Sequence, residues 1–321
     1  MTSPGPVVFF GTPEFAVPTL ERLAASEFRP EVVVSQPSRP VGRGRSVQPP
    51  PVARRAAELD LHCEQVRRVR DPVFLDRIEA IQPWIEVVVA FGQIFPRRLL
   101  EIPAEGCVNV HASLLPRYRG AAPIQAAIAA GDRITGVTTM LMAEELDSGP
   151  ILLERVLEIG RDETALQLAA RLAETGADLL LETLRGLALE SLDAHAQDES
   201  EATWAPRLEK ADGTVDWSLP ARAIYNRYRA YWPWPGLTAS FAGRPVKIVG
   251  CYPVDEELAD TDAEAGTVIA RTPELRVLCG DGRPLELRAL QKPGRRELSG
   301  QEFANGERIA IGDRFDAPGP T

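Results

Sequence analysis

Apolar residues in the first half of the chain fall in short runs separated by stretches of helical spacing. Val7-Val8-Phe9-Phe10 ends at Gly11, and Phe15, Val17, Leu20 and Leu23 carry helical spacing from Glu14 to Ala25. That pattern predicts a strand, a turn and a helix. Glu31-Val32-Val33-Val34 predicts a second strand, Pro51 to Asp60 an Ala-rich helix and Asp71 to Ile81 another. Ile85 to Ala90 reads as a continuous apolar strand ending at Phe91-Gly92, and Cys107 to Val110 as a buried strand running into Asn109 and His111. A further apolar run spans Gly136 to Met142.

Short apolar runs alternating with helices predict an α/β fold, a Rossmann-like and mainly parallel sheet covered on both faces. In such sheets ligands gather beyond the carboxyl ends of the strands. Phe91-Gly92-Gln93-Ile94 and Asn109–His111 lie there. The long Ala/Leu-rich helix Ala165 to Leu189 is expected to close this first domain, 1–190. Leu192 to Ala205 is polar and aperiodic, as a linker would be, so 191–206 is assigned to a connection and 207–321 to a second domain. There a helix from Ala221 to about Ala230 is followed by short β-like runs at Leu237–Phe241, Val246–Val249, Gly266–Ile269, Arg276–Cys279 and Leu285–Leu287. Strands punctuated by Gly and Pro suggest a small barrel. Gln36 to Pro51 interleaves Pro, Gly and Arg without apolar periodicity and reads as a surface loop. No internal repeat is present.

With 321 residues, 44% hydrophobic and 26% charged, the chain has the composition of a soluble two-domain protein. No apolar run approaches the roughly 18 residues of a membrane span, and the start lacks a signal-peptide pattern, so a cytoplasmic location is expected. Cys63, Cys107, Cys251 and Cys279 lie far apart without metal-ligand spacing and are expected to be reduced thiols. Gly11 stands alone, without G-x-G-x-x-G, which argues against a dinucleotide cofactor. The net charge of -10 argues against a nucleic-acid partner. Its distribution softens that objection, since Ser35 to Arg55 carries only Arg39, Arg43, Arg45, Arg54 and Arg55 as charged residues. A phosphate backbone responds to such a local stripe rather than to the sum.

Asn109 and His111 alternate with Val110 on a strand, so both point to one face. An amide donor beside an imidazole is the minimum for acyl chemistry, one for a developing oxyanion and one for a proton. Asp147, in Leu146-Asp147-Ser148-Gly149, is placed to orient or charge the imidazole. A histidine satisfied in a core is the plain alternative; the strand-end position, the paired amide and the Gly-flanked aspartate favour a catalytic set. The cluster Tyr231-Trp232-Pro233-Trp234-Pro235 reads more readily as a rigid turn burying two indoles than as a base-stacking platform.

Asn109-Val110-His111-Ala112-Ser113-Leu114-Leu115-Pro116-Arg117-Tyr118-Arg119-Gly120-Ala121-Ala122-Pro123-Ile124 resembles the signature of the folate-dependent formyltransferases. Phe10-Gly11-Thr12-Pro13-Glu14-Phe15, Gln36-Pro37 with Gly42-Arg43-Gly44, Leu146 to Pro150, Ala205-Pro206-Arg207-Leu208, Asp216-Trp217 and Trp234-Pro235-Gly236 fit in order. The resemblance implies transfer of a formyl group from 10-formyltetrahydrofolate, without a metal, to the amine of methionine on an initiator methionyl-tRNA. It also implies an OB-like C-terminal barrel and a monomer. Carried over, it gives Asn109, His111 and Asp147 the chemistry. The folate slot falls to Phe91, Gly92, Gln93, Ile94, Ser113, Leu114, Leu115 and Pro116, and tRNA contacts to Arg39, Arg43, Arg45, Arg207, Arg229 and Lys247. The chain departs mildly at Ser38, where an acidic residue is common, and at Arg45, where lysine is frequent. An amino-sugar-nucleotide formyltransferase or a folate hydrolase module would share Asn-His-Asp, and a silent RNA binder would share the folds.

Overall fold

β1 (Val7–Gly11) is buried at all five positions, which follows from its place inside a seven-stranded sheet. The structure, a computed structural model, describes residues 3–41, 46–255 and 263–317. Arg43 and Arg45 lie outside the described residues. The chain divides into two compact units: Met1–Pro123 with Ile134–Ile159 and Gln167–Pro206, and Ile124–Arg133 with Gly160–Leu166 and Arg207–Thr321. Among the described residues no helix is long and apolar enough to cross a membrane.

In the first unit the strands after β1 are β2 (Val32–Ser35), β3 (Arg39–Val41), β4 (Ser46–Gln48), β5 (Cys63–Gln65), β6 (Ile85–Val89), β7 (Cys107–His111), β8 (Ile134–Leu141) and β9 (Ile151–Glu158). The main sheet has the order β5-β2-β1-β6-β7-β8-β9. Its first five strands run parallel, and β8 and β9 are antiparallel additions. The chain builds outward from β1 to β2 and β5, then returns to lay β6 on the other side of β1. That reversal opens a crevice at the carboxyl ends of β1 and β6. Helices α1 (Val17–Ala24), α2 (Pro51–Glu58) and α3 (Pro72–Ile81) form where expected, each with a proline in the first turn, where no N–H is needed. The Asp71 carboxylate caps α3 by accepting from Val73 N at 3.0 Å.

The chain holds three features that the apolar pattern did not announce. The Gln36–Pro51 loop contains a two-stranded ribbon, Arg39 pairing with Gln48; β4 is exposed throughout, so no buried face marked it. Besides the short α4 (Arg97–Leu100), a helix α5 (Pro123–Ala130) follows the Asn109 signature. And the strand read as continuously apolar contains Glu86, 0% exposed between Val8 of β1 and Cys107 of β7. Cys107 Sγ donates to Glu86 Oε2 at 3.3 Å, and Oε1 has no partner. Burial pushes this carboxyl up to about 8.

α6 (Ala165–Ala188) precedes the segment expected to be a linker. That segment is fixed along the first unit, as the site makes plain. In the second unit α7 (Ala221–Tyr231) packs on an antiparallel sheet. Its strands are β10 (Leu237–Phe241), β11 (Arg244–Pro253), β12 (Val268–Ala270), β13 (Leu275–Leu278), β14 (Pro284–Gln291), β15 (Glu297–Ser299) and β16 (Phe315–Asp316), and α8 (Gly300–Glu307) lies after β15. The strand order is β12-β13-β14-β11-β10-β16. Its two ends are stitched by Val268 N to Asp313 O at 2.7 Å and Phe315 N to Gly266 O at 2.9 Å, so the sheet curls round on itself. The core inside holds Trp217, Ile248, Leu287, Phe303 and Phe315.

Candidate active site

β7 delivers Asn109 and His111 to the carboxyl end of the sheet. The Asn109 side chain is half-buried and makes no hydrogen bond to a described residue, which leaves its amide free to donate. His111 is 6% exposed. Its Nε2 lies 2.9 Å from Tyr118 O. A carbonyl only accepts, so this contact places the neutral ring's proton on Nε2. Nδ1 then carries the lone pair and faces Asp147 Oδ2 at 3.7 Å. Two acceptors at that separation make no hydrogen bond. A proton arriving on Nδ1 turns the contact into an ion pair shielded from water. The Asp147 carboxylate thus faces Nδ1, while the backbone carbonyl of Tyr118 orients the ring. No sequence signal marks that carbonyl, since every residue has one.

The loops around His111 are wound through left-handed backbone. Tyr118 has φ 60°, Asp147 52° and Gly120 114°. A Cβ at Gly120 would stand 2.7 Å from Ala205 O, so glycine is required there for space as well as conformation. Gly120 N donates to Asp147 Oδ2 at 2.8 Å, fixing the carboxylate that faces the ring. Ser113 Oγ donates to Arg117 O at 2.6 Å, and Thr138 Oγ1 bridges Ser113 O at 2.7 Å to Leu115 N at 3.1 Å. Ser113, Leu115 and Pro116 are thus buried in the walls of the loop, and Leu114 is half-buried over Gly136.

The folate candidates at the end of β6 separate in role. Phe91 is 2% exposed and stacks edge-on against Phe10 and Phe95, and its carbonyl accepts from Gln36 Nε2 at 2.8 Å. The Gln93 amide is spent on Val69 N and Val66 O. Ile94 is 74% exposed, and the backbone groups of Gly92 and Ile94 take no partner among the described residues. An open apolar side chain beside open backbone donors and acceptors fits a flat heteroaromatic ring with a polar edge. Among the described residues no group of three His, Cys, Asp or Glu side chains converges on a possible metal site.

The 195–205 segment, read from sequence as a linker, is strapped across this site. His195 pairs with Ile151 at one end, and Ala205 N donates to Arg119 O at 2.7 Å at the other. Gln197 and Arg119, which sequence reasoning did not single out, meet between them. An aperiodic polar stretch gives no warning of such bonding.

The cations proposed for tRNA differ. Arg207 is exposed, and Arg39 is exposed with a hydrogen bond to Gln36 Oε1. Lys247 is half-buried, its Nζ 5.6 Å above the Trp232 ring. Arg229 is a correction. It is 5% exposed, and its guanidinium donates to Gly160 O at 3.2 Å, Glu163 O at 3.0 Å and Asn226 Oδ1 at 2.9 Å. It holds the 160–163 turn against α7, and its burial keeps it from a phosphate backbone.

A mainly parallel sheet carrying Asn, His and Asp at its strand ends, followed by a curled antiparallel sheet, defines a class. The chain belongs to the formyl transferase family: the family's formyl transferase domain matches residues 6–184, and its C-terminal domain matches residues 207–308. Among curated relatives it is similar to the methionyl-tRNA formyltransferase of Methylococcus capsulatus, 45% identical over 304 residues that cover 95% of this chain and 97% of the relative. It is similarly close to that of Solibacter usitatus, 44% identical over 309 residues, 96% and 98% of the two chains. In fold it resembles an N-formyltransferase from Helicobacter canadensis solved with folinic acid and dTDP-3-aminofucose. That match has a TM-score of 0.67 at 17% identity, covering 89% of this chain and 99% of the other.

Proposed function

We propose that this chain transfers a formyl group from 10-formyltetrahydrofolate to the α-amine of methionine esterified to initiator tRNA, as a cytoplasmic monomer. One observation carries the chemistry: a free Asn109 amide beside a His111 ring whose Nε2 is committed to Tyr118 O and whose Nδ1 faces Asp147. Similarity to methionyl-tRNA formyltransferases over nearly the whole chain supports the acceptor.

When bound, the folate supplies the formyl carbon on an aryl-amine nitrogen that can leave. An α-amine has an ordinary pKa of about 8, so a useful fraction is neutral at pH 7 and attacks unaided. A bond forms from the amine nitrogen to the formyl carbon, and the bond from that carbon to the donor nitrogen breaks. Asn109 donates to the formyl oxygen as it gains negative charge. His111 takes the amine's proton on Nδ1, is held as a cation by Asp147, and returns that proton to the departing nitrogen. Gly92, Ile94 and Leu114 form the slot for the pterin. Phosphates of the tRNA meet Arg39, Arg207 and Lys247, with Arg43 and Arg45 assigned to the same task on sequence alone.

Single-turnover transfer from labelled 10-formyltetrahydrofolate tests the reading, with methionyl initiator tRNA, free methionine and an amino sugar nucleotide offered in parallel. Labelling of the tRNA alone, abolished in Asn109→Ala, is the expected result. Labelling of the sugar instead refutes the acceptor, and tRNA binding without turnover refutes the chemistry.

A further inference from the structure

Two loops address the two nitrogens of His111, and one side chain ties the loops together. The 118–120 loop gives the Tyr118 carbonyl to Nε2, and the 147–149 loop presents Asp147 to Nδ1. Gln197 reaches both. Its Nε2 donates to Asp147 O at 2.8 Å and Gly149 O at 2.7 Å. Its Oε1 accepts from Arg119 Nε at 3.0 Å and from a terminal guanidinium nitrogen of Arg119 at 2.7 Å. The amide has no second orientation: turned over, its oxygen would face two carbonyls and its NH2 a guanidinium.

Arg119 is 2% exposed and belongs to the first loop by its backbone, N donating to Thr203 O at 2.8 Å and O accepting from Ala205 N at 2.7 Å. Its other guanidinium contacts go to the Glu199 carboxylate at 2.8 and 2.7 Å. The strap thus grips the first loop through Arg119 and the second through Gln197. A buried arginine with four of its five N–H groups held by an amide and a carboxylate is a fixed strut, because loosening either partner leaves N–H groups unpaired.

We infer that Gln197, acting through Arg119, is a positioning residue for His111: it sets the spacing of the Tyr118 carbonyl and the Asp147 carboxylate on either side of the ring, and thereby its tautomer. The inference rests on His111 being the group that moves the proton. Catalytic geometry loses steeply when a group shifts by an ångström or so. Removing the tie at Gln197 is therefore expected to lower kcat by about tenfold or more, with KM for folate and tRNA unchanged within about twofold.

The test uses the full chain in two variants. Gln197→Ala removes the tie. Gln197→Glu keeps the size and the Arg119 contact but sets carboxylate against two carbonyls. Chains labelled with 15N-histidine are recorded without substrate; the chain holds three histidines, so His111 can be assigned by substitution. The parent is expected to show His111 as one tautomer, Nε2 protonated and Nδ1 bare, and both variants a mixture. Turnover is then measured on the same samples. A mixed tautomer together with reduced kcat at unchanged KM supports the inference. A single Nε2–H tautomer retained in both variants overturns it, even if turnover falls, because the loss is then merely structural. So does a mixed tautomer with kcat within about twofold of the parent. The nitrogen signals need no acceptor, so if methionyl-tRNA proves the wrong substrate a single tautomer retained in both variants still overturns the positioning role.

Discussion

Glu86 gives the most quantitative test of the fold. It lies on the central strand β6, on the face shared with Val88, beside Val8 and Cys107 in the apolar cluster that includes Phe10 and Leu99. Among the described residues only the Cys107 thiol hydrogen-bonds its carboxyl group, and Oε1 has no hydrogen-bond partner. Burial raises its pKa from an ordinary 4.5 to about 8, so the folded chain carries a neutral acid at pH 7. Below about pH 4.5 both folded and unfolded chains hold the proton, and no penalty exists. Between 4.5 and 8 only the unfolded chain releases it, so stability falls as pH rises, by about 1.4 kcal/mol per pH unit. The full effect is roughly 5 kcal/mol, of which roughly 3 is in force at pH 7. Glu86→Gln keeps the shape and cannot ionise. An unpaired NH2 in the variant adds a cost of about 1–3 kcal/mol, but one that is constant with pH. The slope is therefore the observable. Urea unfolding at pH 5, 6, 7 and 8, with amide exchange in β1 and β6 to confine the reading to this sheet, should show the parent losing stability relative to the variant by roughly 1 kcal/mol per pH unit. Parallel curves for the two chains would refute a buried, neutral Glu86.

Other outcomes follow from the site. Asn109→Ala should lower kcat by about 10²–10³, the cost of one oxyanion donor; a loss of under tenfold in steady-state turnover rejects that role. Asp147→Asn retains an acceptor for Gly120 N but removes the charge facing Nδ1, and kcat should fall about 10²-fold with little change in melting temperature. Arg229→Met should destabilise the second unit by roughly 3 kcal/mol or more in denaturant titrations, because three acceptors lose their donors. It should leave the salt dependence of tRNA binding intact, whereas Arg207→Ala should reduce that slope by about 0.7–0.9. Gly149→Ala places a Cβ 1.8 Å from Leu141 O, so the 147–149 turn must move; turnover should collapse before the global fold does, read by activity against circular dichroism.

Arginines show where sequence reasoning runs out. Arg222, Arg227 and Arg229 all lie on α7, and composition gives each the same claim on a phosphate. Arg229 turns toward the 160–163 turn, where it is bound by carbonyls from a segment over sixty residues earlier. Likewise Leu192 to Ala205 is polar and aperiodic, which fits a tether as well as it fits a strap. The partners that decide between the two, Ile151, Arg119 and Asp147, are remote in sequence.

The strands β1, β2, β6 and β7 were legible because burial on both faces demands predominantly apolar runs, and helices α1 to α3 because one buried stripe demands helical spacing. The Asn109–His111 pairing was legible for a related reason, the two-residue period of a strand. What only tertiary structure decided is how the site is held: the Tyr118 carbonyl on Nε2, the 3.7 Å gap to Asp147, the crossing of Gln197 and Arg119, and the neutral acid at Glu86. Those are properties of backbone carbonyls, left-handed turns and long-range polar bonds. They follow from which segments are brought together, and a local pattern of apolar and polar residues does not encode them.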